Sequence, residues 1–486
     1  MALFFQRDAT LQVYPLDASG EFPSASKAFA IPMLEGFSFS QSTNSSEITL
    51  SEMESTVGTS RRGRKMFNDS LAPVEWSFST YIRPYIAGDT AVSGTGNSRI
   101  SWADEQVHLV DECLWNALLS KSRIDLDGTS GTSVANLTFS SSSGNVVGDI
   151  LTLTGGTLAA GGYTAAKATV VTVSSGAITE VEVTTPSRYT VNPTGVTSSR
   201  GGATPGTVTV VMGEEGDSMI DRGSTKTVLS SKNSNVSALN TLNMEFMVSS
   251  NVGYKLNKAV VNSATINFDV EGIATIEWSG MAATIDGITA FTAAAGANSE
   301  NAAINEGGTS ADTENFIRNR LTAMAVKPKT SGTSANVTGM QSSYDLTLTG
   351  GSITIENNIS YLTPEELGVV NKPIEHVTGV RNVGGSFTCY LASNAGSNGS
   401  KDFYEDLTSA AALDVITHDF EMIFKIGGSS GSPRVEVKMP QCHVEVPTHS
   451  IEDVISLESS FTSLQSDMES NIVDDLEVSI YGVALA

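Results

Sequence analysis

Residues 61–84 read RRGRKMFNDSLAPVEWSFSTYIRP, which puts Arg61, Arg62, Arg64 and Lys65 within five positions. Cations this close together can grip phosphate, meet a carboxylate-rich protein surface, or simply stand in water. The chain around them narrows the choice. Its 486 residues carry 53 Asp and Glu against 28 Lys and Arg, a formal net charge of -25. Such a surface repels nucleic-acid phosphates and anionic membranes, which argues against a sequence-reading DNA binder. A surface along which DNA slides without sticking is a different case, and acidity suits it.

The remaining reactive side chains form no constellation. Cys113, Cys389 and Cys442 are odd in number and far apart, so they are read as buried free thiols rather than a disulfide framework or zinc site. His443 and His449 flank VEVP without the spacing of a helical metal pair. The stretch DLDGTSG (125–131) lacks the later ligands and terminal Glu of a calcium loop and reads as a Gly turn. Glu365-Glu366 and Asp474-Asp475 fall at turns or helix starts, and Thr363-Pro364-Glu365 reads as a helix N-terminus. No phosphate-cradling loop or nucleophile elbow appears in a strand-to-helix context. The sequence therefore offers no catalytic, cofactor-binding or metal-ligating residue, and the expectation is a protein that is not an enzyme and has no cofactor. Trp76, Trp115 and Trp278 lie on patterned faces and read as core rather than as a sugar platform.

The elements that carry these residues are mostly strands. Charged residues are 17% of the chain, below the roughly 25% of ordinary domains, and 44 Gly supply turns. Val74, Trp76, Phe78, Thr80 and Ile82 share one face of a strand that Pro84 closes. A helix is expected over 104–120, capped by Asp104, with Val107, Val110, Leu114 and Leu118 on one side. No segment reaches the roughly 18 apolar residues of a membrane span, and the N-terminus shows no signal-peptide core, so no membrane partner is expected.

Length allows roughly three domains on a prior of about 150 residues each. The order β-β-loop-β-α-β-β-β occurs twice, and LNMEFMV beside HDFEMIF is the closest local match between the copies. The reading is a tandem duplication. Residues 1–125 and 216–285 form a discontinuous first domain, 286–313 a linker and 314–486 the second domain. Residues 130–213 run in short Thr/Val/Gly pieces and read as an inserted all-β domain.

The stretches 48–84 and 274–285 resemble tail tube proteins of tailed bacteriophages, as do 359–391 and 475–482 in the second half. The resemblance covers residues 1–125, 216–285 and 314–486. It implies a mainly β fold: two tube domains, each a β-sandwich or barrel with a flanking helix. It also implies a structural virion protein in the phage tail, made in the host cytoplasm, that self-assembles into stacked rings forming a conduit for DNA ejection. Two domains per chain imply trimeric, pseudo-hexameric rings, with a homohexamer as the alternative. The implied partners are the chain itself, a tail terminator, a tape measure, a baseplate, and DNA that passes without specific binding. In this family the long early loop reaches a neighbour, so Arg61, Arg62, Arg64 and Lys65 become an inter-subunit or inter-ring contact loop. The matching stretch 363–383 carries Lys372 and Arg381. The alternative function is a receptor-binding or baseplate component whose 130–213 domain binds carbohydrate.

Overall fold

Side chains alternate across a strand, so a period-two apolar pattern forces one face of a sheet into a core. In the computed structural model eight strands, most of them with this pattern, lie side by side, every neighbour antiparallel. In spatial order they are Ser38–Ser40, Val74–Tyr81, Thr275–Ala282, Val252–Asp269, Leu348–Glu356, Asn382–Tyr390, Ile455–Ser463 and Thr448–Ile451. The structure describes residues 5, 8–16, 28–49, 64–86, 107–119, 133–158, 165–185, 187, 189–213, 219–221, 226–230, 239–249, 251–292, 315–328, 341–365, 367, 371–393, 398–408, 420–428, 430–431, 433–451, 454–465 and 475–484. The protein is mainly β, as expected.

One face of the eight-strand run is dry. Trp76, Phe78, Trp278, Ile353, Phe387 and Phe461 are buried in a single core that draws on both halves of the chain. Each such side chain contributes about 1.5–3 kcal/mol relative to exposure. The Glu112–Leu119 helix helps close this core, with Trp115 edge-on to Trp278 at 5.5 Å. The Ser400–Thr408 helix sets Phe403 against Tyr344 at 5.2 Å. A further set of strands builds on Leu242–Ser249 and Phe420–Ile426.

The first helix is shorter than its sequence pattern suggests. Val107–Leu109 is a strand against Pro84–Ile86, and the helix starts only at Glu112. Both conformations bury Val107, so its apolar character did not separate them. Asp104 and Trp102 lie outside the described residues. Thr363-Pro364-Glu365 carries no regular structure and follows the strand Ser360–Leu362. The expected linker begins inside the strand Thr284–Ile288, while 293–314 lies outside the described residues.

The pairing pattern recurs. Thr10–Pro15 pairs with Phe29–Ile31 and Leu242–Ser249, as Ala323–Pro328 pairs with Tyr344–Leu346 and Phe420–Ile426. A register shift falls between Leu242 and Met244 in one half and between Phe420 and Met422 in the other. These shifts align Met244 with Met422 and Phe246 with Phe424. That is two residues from the residue-by-residue match of the quoted heptapeptides, which sets Glu245 beside Glu421. A two-residue slip leaves each residue on the same face, so the pattern survives it.

The cores differ in a reciprocal way. In the first half Trp76 stands opposite Gly280; at the corresponding pair in the second, Gly385 stands opposite Phe461. A Cβ on Gly280 would lie 2.4 Å from the Trp76 ring and 2.1 Å from the Val260 carbonyl oxygen. Residues 133–213 have a separate core of Val134, Leu151, Leu153, Val170, Tyr189 and neighbours. Its largest sheet orders Ala177–Thr185, Lys167–Ser174, Ile150–Thr154 and Gly195–Ser198.

Two expectations follow. Gly280→Ala destabilises by about 1–3 kcal/mol through overpacking, whereas Gly287→Ala, which meets nothing within 4 Å, is near neutral; denaturant midpoints separate them. The second concerns Asp111, which accepts from Thr80 Oγ1 at 2.9 Å, while Thr80 accepts from Trp278 Nε1 at 2.9 Å. Burial pushes its carboxyl up to about 7 from 3.8. Between those values the folded state holds a proton that the unfolded chain has lost. This group therefore removes stability as pH rises through the window and adds no slope above it. Asp111→Asn flattens that part of the curve of denaturant midpoint against pH.

Candidate assembly surfaces

The other face of the eight-strand run is wet. It presents Ser38, Ser40, Glu75, Ser77, Ser79, Glu277, Ser279, Ser263, Thr265, Asn267 and Asp269 from the first half of the chain. Ser352, Thr354, Glu356, Ser386, Thr388, Glu458, Ser460, Thr448 and Ser450 continue it in the second. Five carboxylates (Glu75, Glu277, Asp269, Glu356 and Glu458) stand on this face, and none of its positions is Lys or Arg. Hydroxyl pairs lace it: Ser38–Ser77 at 2.9 Å, Ser263–Ser279 at 2.8 Å and Thr265–Thr354 at 3.2 Å. The alternation was legible in the sequence. That all these strands share one acidic face was not, because it depends on which strands are neighbours.

The run also has two ends. Ser38–Ser40 pairs with Val74–Tyr81 on one side, and Thr448–Ile451 pairs with Ile455–Ser463 on one side. Among the described residues no strand lies along the other side of either. Unpaired edges are templates for another strand.

The basic cluster is only partly described. Arg61 and Arg62 lie outside the described residues. Arg64 and Lys65 are in a strand rather than a loop: Arg64–Leu71 pairs with Thr43–Thr49 as an exposed two-stranded ribbon. Arg64 Nη2 donates to Glu47 Oε2 at 2.8 Å, with a second contact from Nε to Oε1. Lys65 Nζ sits 5.2 Å from the centre of the Phe67 ring. An exposed pair such as Arg64–Glu47 adds little stability. Ile48, Met66 and Phe67 are exposed on the same ribbon.

The corresponding position of the second half carries a shorter ribbon, Ser360–Leu362 with Glu375–Val377, exposing Leu362, Ile374 and Val377. The two ribbons touch where Leu71 N donates to the Asn371 carbonyl at 2.8 Å. Lys372 is exposed there. Arg381 is not available for such a contact. Its guanidinium is buried against Asp475, with Nε donating to Oδ2 at 2.9 Å. Sequence position alone did not reveal this, because Asp475 is remote in the chain.

Cys113, Cys389 and Cys442 are buried free thiols, and burial pushes the Cys389 thiol up to about 11. His443 and His449 are exposed, and His449 lies edge-on to Tyr404 at 4.4 Å. Trp76, Trp115 and Trp278 are buried and offer no sugar platform. Among the described residues no cluster of His, Cys, Asp and Glu is arranged to hold a metal ion, and no helix is long and apolar enough to cross a membrane.

The fold and these surfaces define a mainly β protein whose eight-strand run has an acidic wet face and, among the described residues, two edges without a neighbouring strand. The chain is 25% identical to the tail tube protein pb6 of Escherichia phage T5 over 440 residues, 90% of this chain and 68% of that one. No family model matches the chain. The similarity supports a phage tail tube protein, a structural component placed in the virion tail.

One expectation concerns the buried pair. Asp475→Ala strands the Arg381 guanidinium in the interior and costs about 3–5 kcal/mol, whereas Arg64→Ala, at an exposed pair, costs under about 1 kcal/mol. Thermal midpoints of the two variants measure the contrast.

Proposed function

We propose that the chain is a tail tube subunit that assembles into stacked rings and encloses a passage for DNA. The observation that carries this reading is the continuous wet face with five carboxylates and no Lys or Arg. DNA moving past such a wall meets no cations that would bind it through counterion release. The recurring strand pairings support a tandem duplication within 1–125 plus 216–285 and 314–486. Two such units per chain make three chains the natural number for a six-position ring. The separate core within 130–213 supports reading that stretch as a domain on the outside of the tube.

In this reading the two ribbons are the stacking contacts. Their exposed apolar residues are what an interface covers. Arg61, Arg62 and Lys65 meet acidic surface of a neighbour, with Arg64 held by Glu47 of its own ribbon. The tail terminator, tape measure and baseplate are the further partners, and the protein has no enzymatic role.

Electron microscopy of the purified protein tests this. Stacked rings with three outward knobs on a six-lobed wall are expected. Uniform particles that never stack overturn the reading.

A further inference from the structure

A hollow of about 300 Å³ opens on the wet face, lined by Ser38, Ser40, Glu75, Ser77, Ser279 and Met281 among others. The strand pairing explains why these side chains meet. Ser38 lies opposite Ser77 and Ser77 opposite Ser279, which makes a row of three hydroxyls. Two residues along, Ser40 lies opposite Glu75 and Glu75 opposite Met281. Side chains directly opposite on one face stand about 4.5–5.5 Å apart at Cβ, so each row is a continuous strip. Serine on three neighbouring strands leaves the space that larger residues would fill.

The strips differ in chemistry. Ser38 and Ser77 share a hydrogen bond at 2.9 Å, and Ser279 shares one with Ser263 at 2.8 Å. A hydroxyl so engaged still has lone pairs to accept with. Glu75 is exposed, and among the described residues its carboxylate makes no hydrogen bond or ion pair. Beside it stands the thioether of Met281, half-buried.

The second half repeats one strip and not the other. Ser352 lies opposite Ser386 and Ser386 opposite Ser460, which restores the hydroxyl row. In the next row Thr354 lies opposite Gly384 and Gly384 opposite Thr462. Through the reciprocal pairs described above, Gly384 corresponds to Glu75 and Thr462 to Met281. Solvation of a wet face asks for hydroxyls, and both halves have them. A carboxylate next to a thioether stands at this place in the first half and is replaced in the second.

We propose that this hollow binds one end of an aliphatic polyamine. An ammonium group donates to the Glu75 carboxylate and to the serine hydroxyls, while the adjoining methylenes lie against Met281. The remaining ammonium groups lie over a face that carries Glu277, Asp269, Glu356 and Glu458 and no Lys or Arg, so nothing on it repels them. One carboxylate among hydroxyls falls short of the oxygen shell that a divalent cation takes, and the charge of the face excludes an anion. An exposed ion pair is weak, so the ligand exchanges freely. The site is complete within one chain and does not depend on the tube reading.

Equilibrium dialysis of the full chain against labelled spermidine at low salt tests the site. One saturable equivalent per chain is expected. Glu75→Gln lowers its affinity about five-fold, near the most that an exposed ion pair supplies. Glu458→Gln makes the same charge change on the same face in the second half and leaves the affinity unchanged. Met281→Thr, which supplies the second half's residue, weakens binding as well. An affinity that Glu75→Gln does not change, or equal losses in Glu75→Gln and Glu458→Gln, mean diffuse attraction to the acidic face and overturn the proposal. Binding that does not saturate near one equivalent does the same. Stronger displacement by magnesium than by sodium at matched ionic strength assigns the hollow to a metal ion and overturns the ligand class.

Discussion

Along the inner strands of the antiparallel run, alternate residues are largely removed from water and the others are left in it. Most other features follow from that constraint. A sheet with Trp76, Phe78, Trp278, Phe387 and Phe461 on one side cannot stand alone, so helices and further strands close over that side. The same constraint leaves Glu75, Glu277, Glu356 and Glu458 on the opposite face, which no strand or helix among the described residues packs over. The acidic wall and the hydrophobic core are two consequences of one alternation.

The two halves satisfy the constraint by different means. Large and small residues trade places between Trp76/Gly280 and Gly385/Phe461, so the volume between neighbouring strands is filled once in each half. Glycines at these points also let strands approach closely: a Cβ on Gly385 would lie 1.9 Å from the Ser352 carbonyl oxygen. Close packing makes each choice depend on its partner, so the pairs change together or not at all.

Ties between remote segments hold the layers in place. Arg381 and Asp475 bury opposite charges against each other. Asn357 Nδ2 donates to the Leu118 carbonyl at 2.9 Å, linking the first helix to the second half. Such groups cost little when satisfied and a great deal when one partner is lost. The Asn357–Leu118 bond joins the two halves, while the Arg381–Asp475 pair ties two segments within the second.

The sequence by itself determined the strand content, the inward face of most strands and the Thr/Val/Gly-rich all-β character of 130–213. Those properties depend on local periodicity and residue type, which a chain displays whether folded or not. It did not determine that Val107 is extended, since a short apolar run buries equally well as strand or helix. It placed Arg381 only in the stretch that matches the basic loop, and nothing nearby in the chain reveals Asp475 as its partner. The acidic face, and the edges at 38–40 and 448–451 that lack a second neighbour among the described residues, were decided only by tertiary structure. Each strand shows its own wet side in sequence, but which strands are neighbours, and which lack one, is a property of long-range pairing.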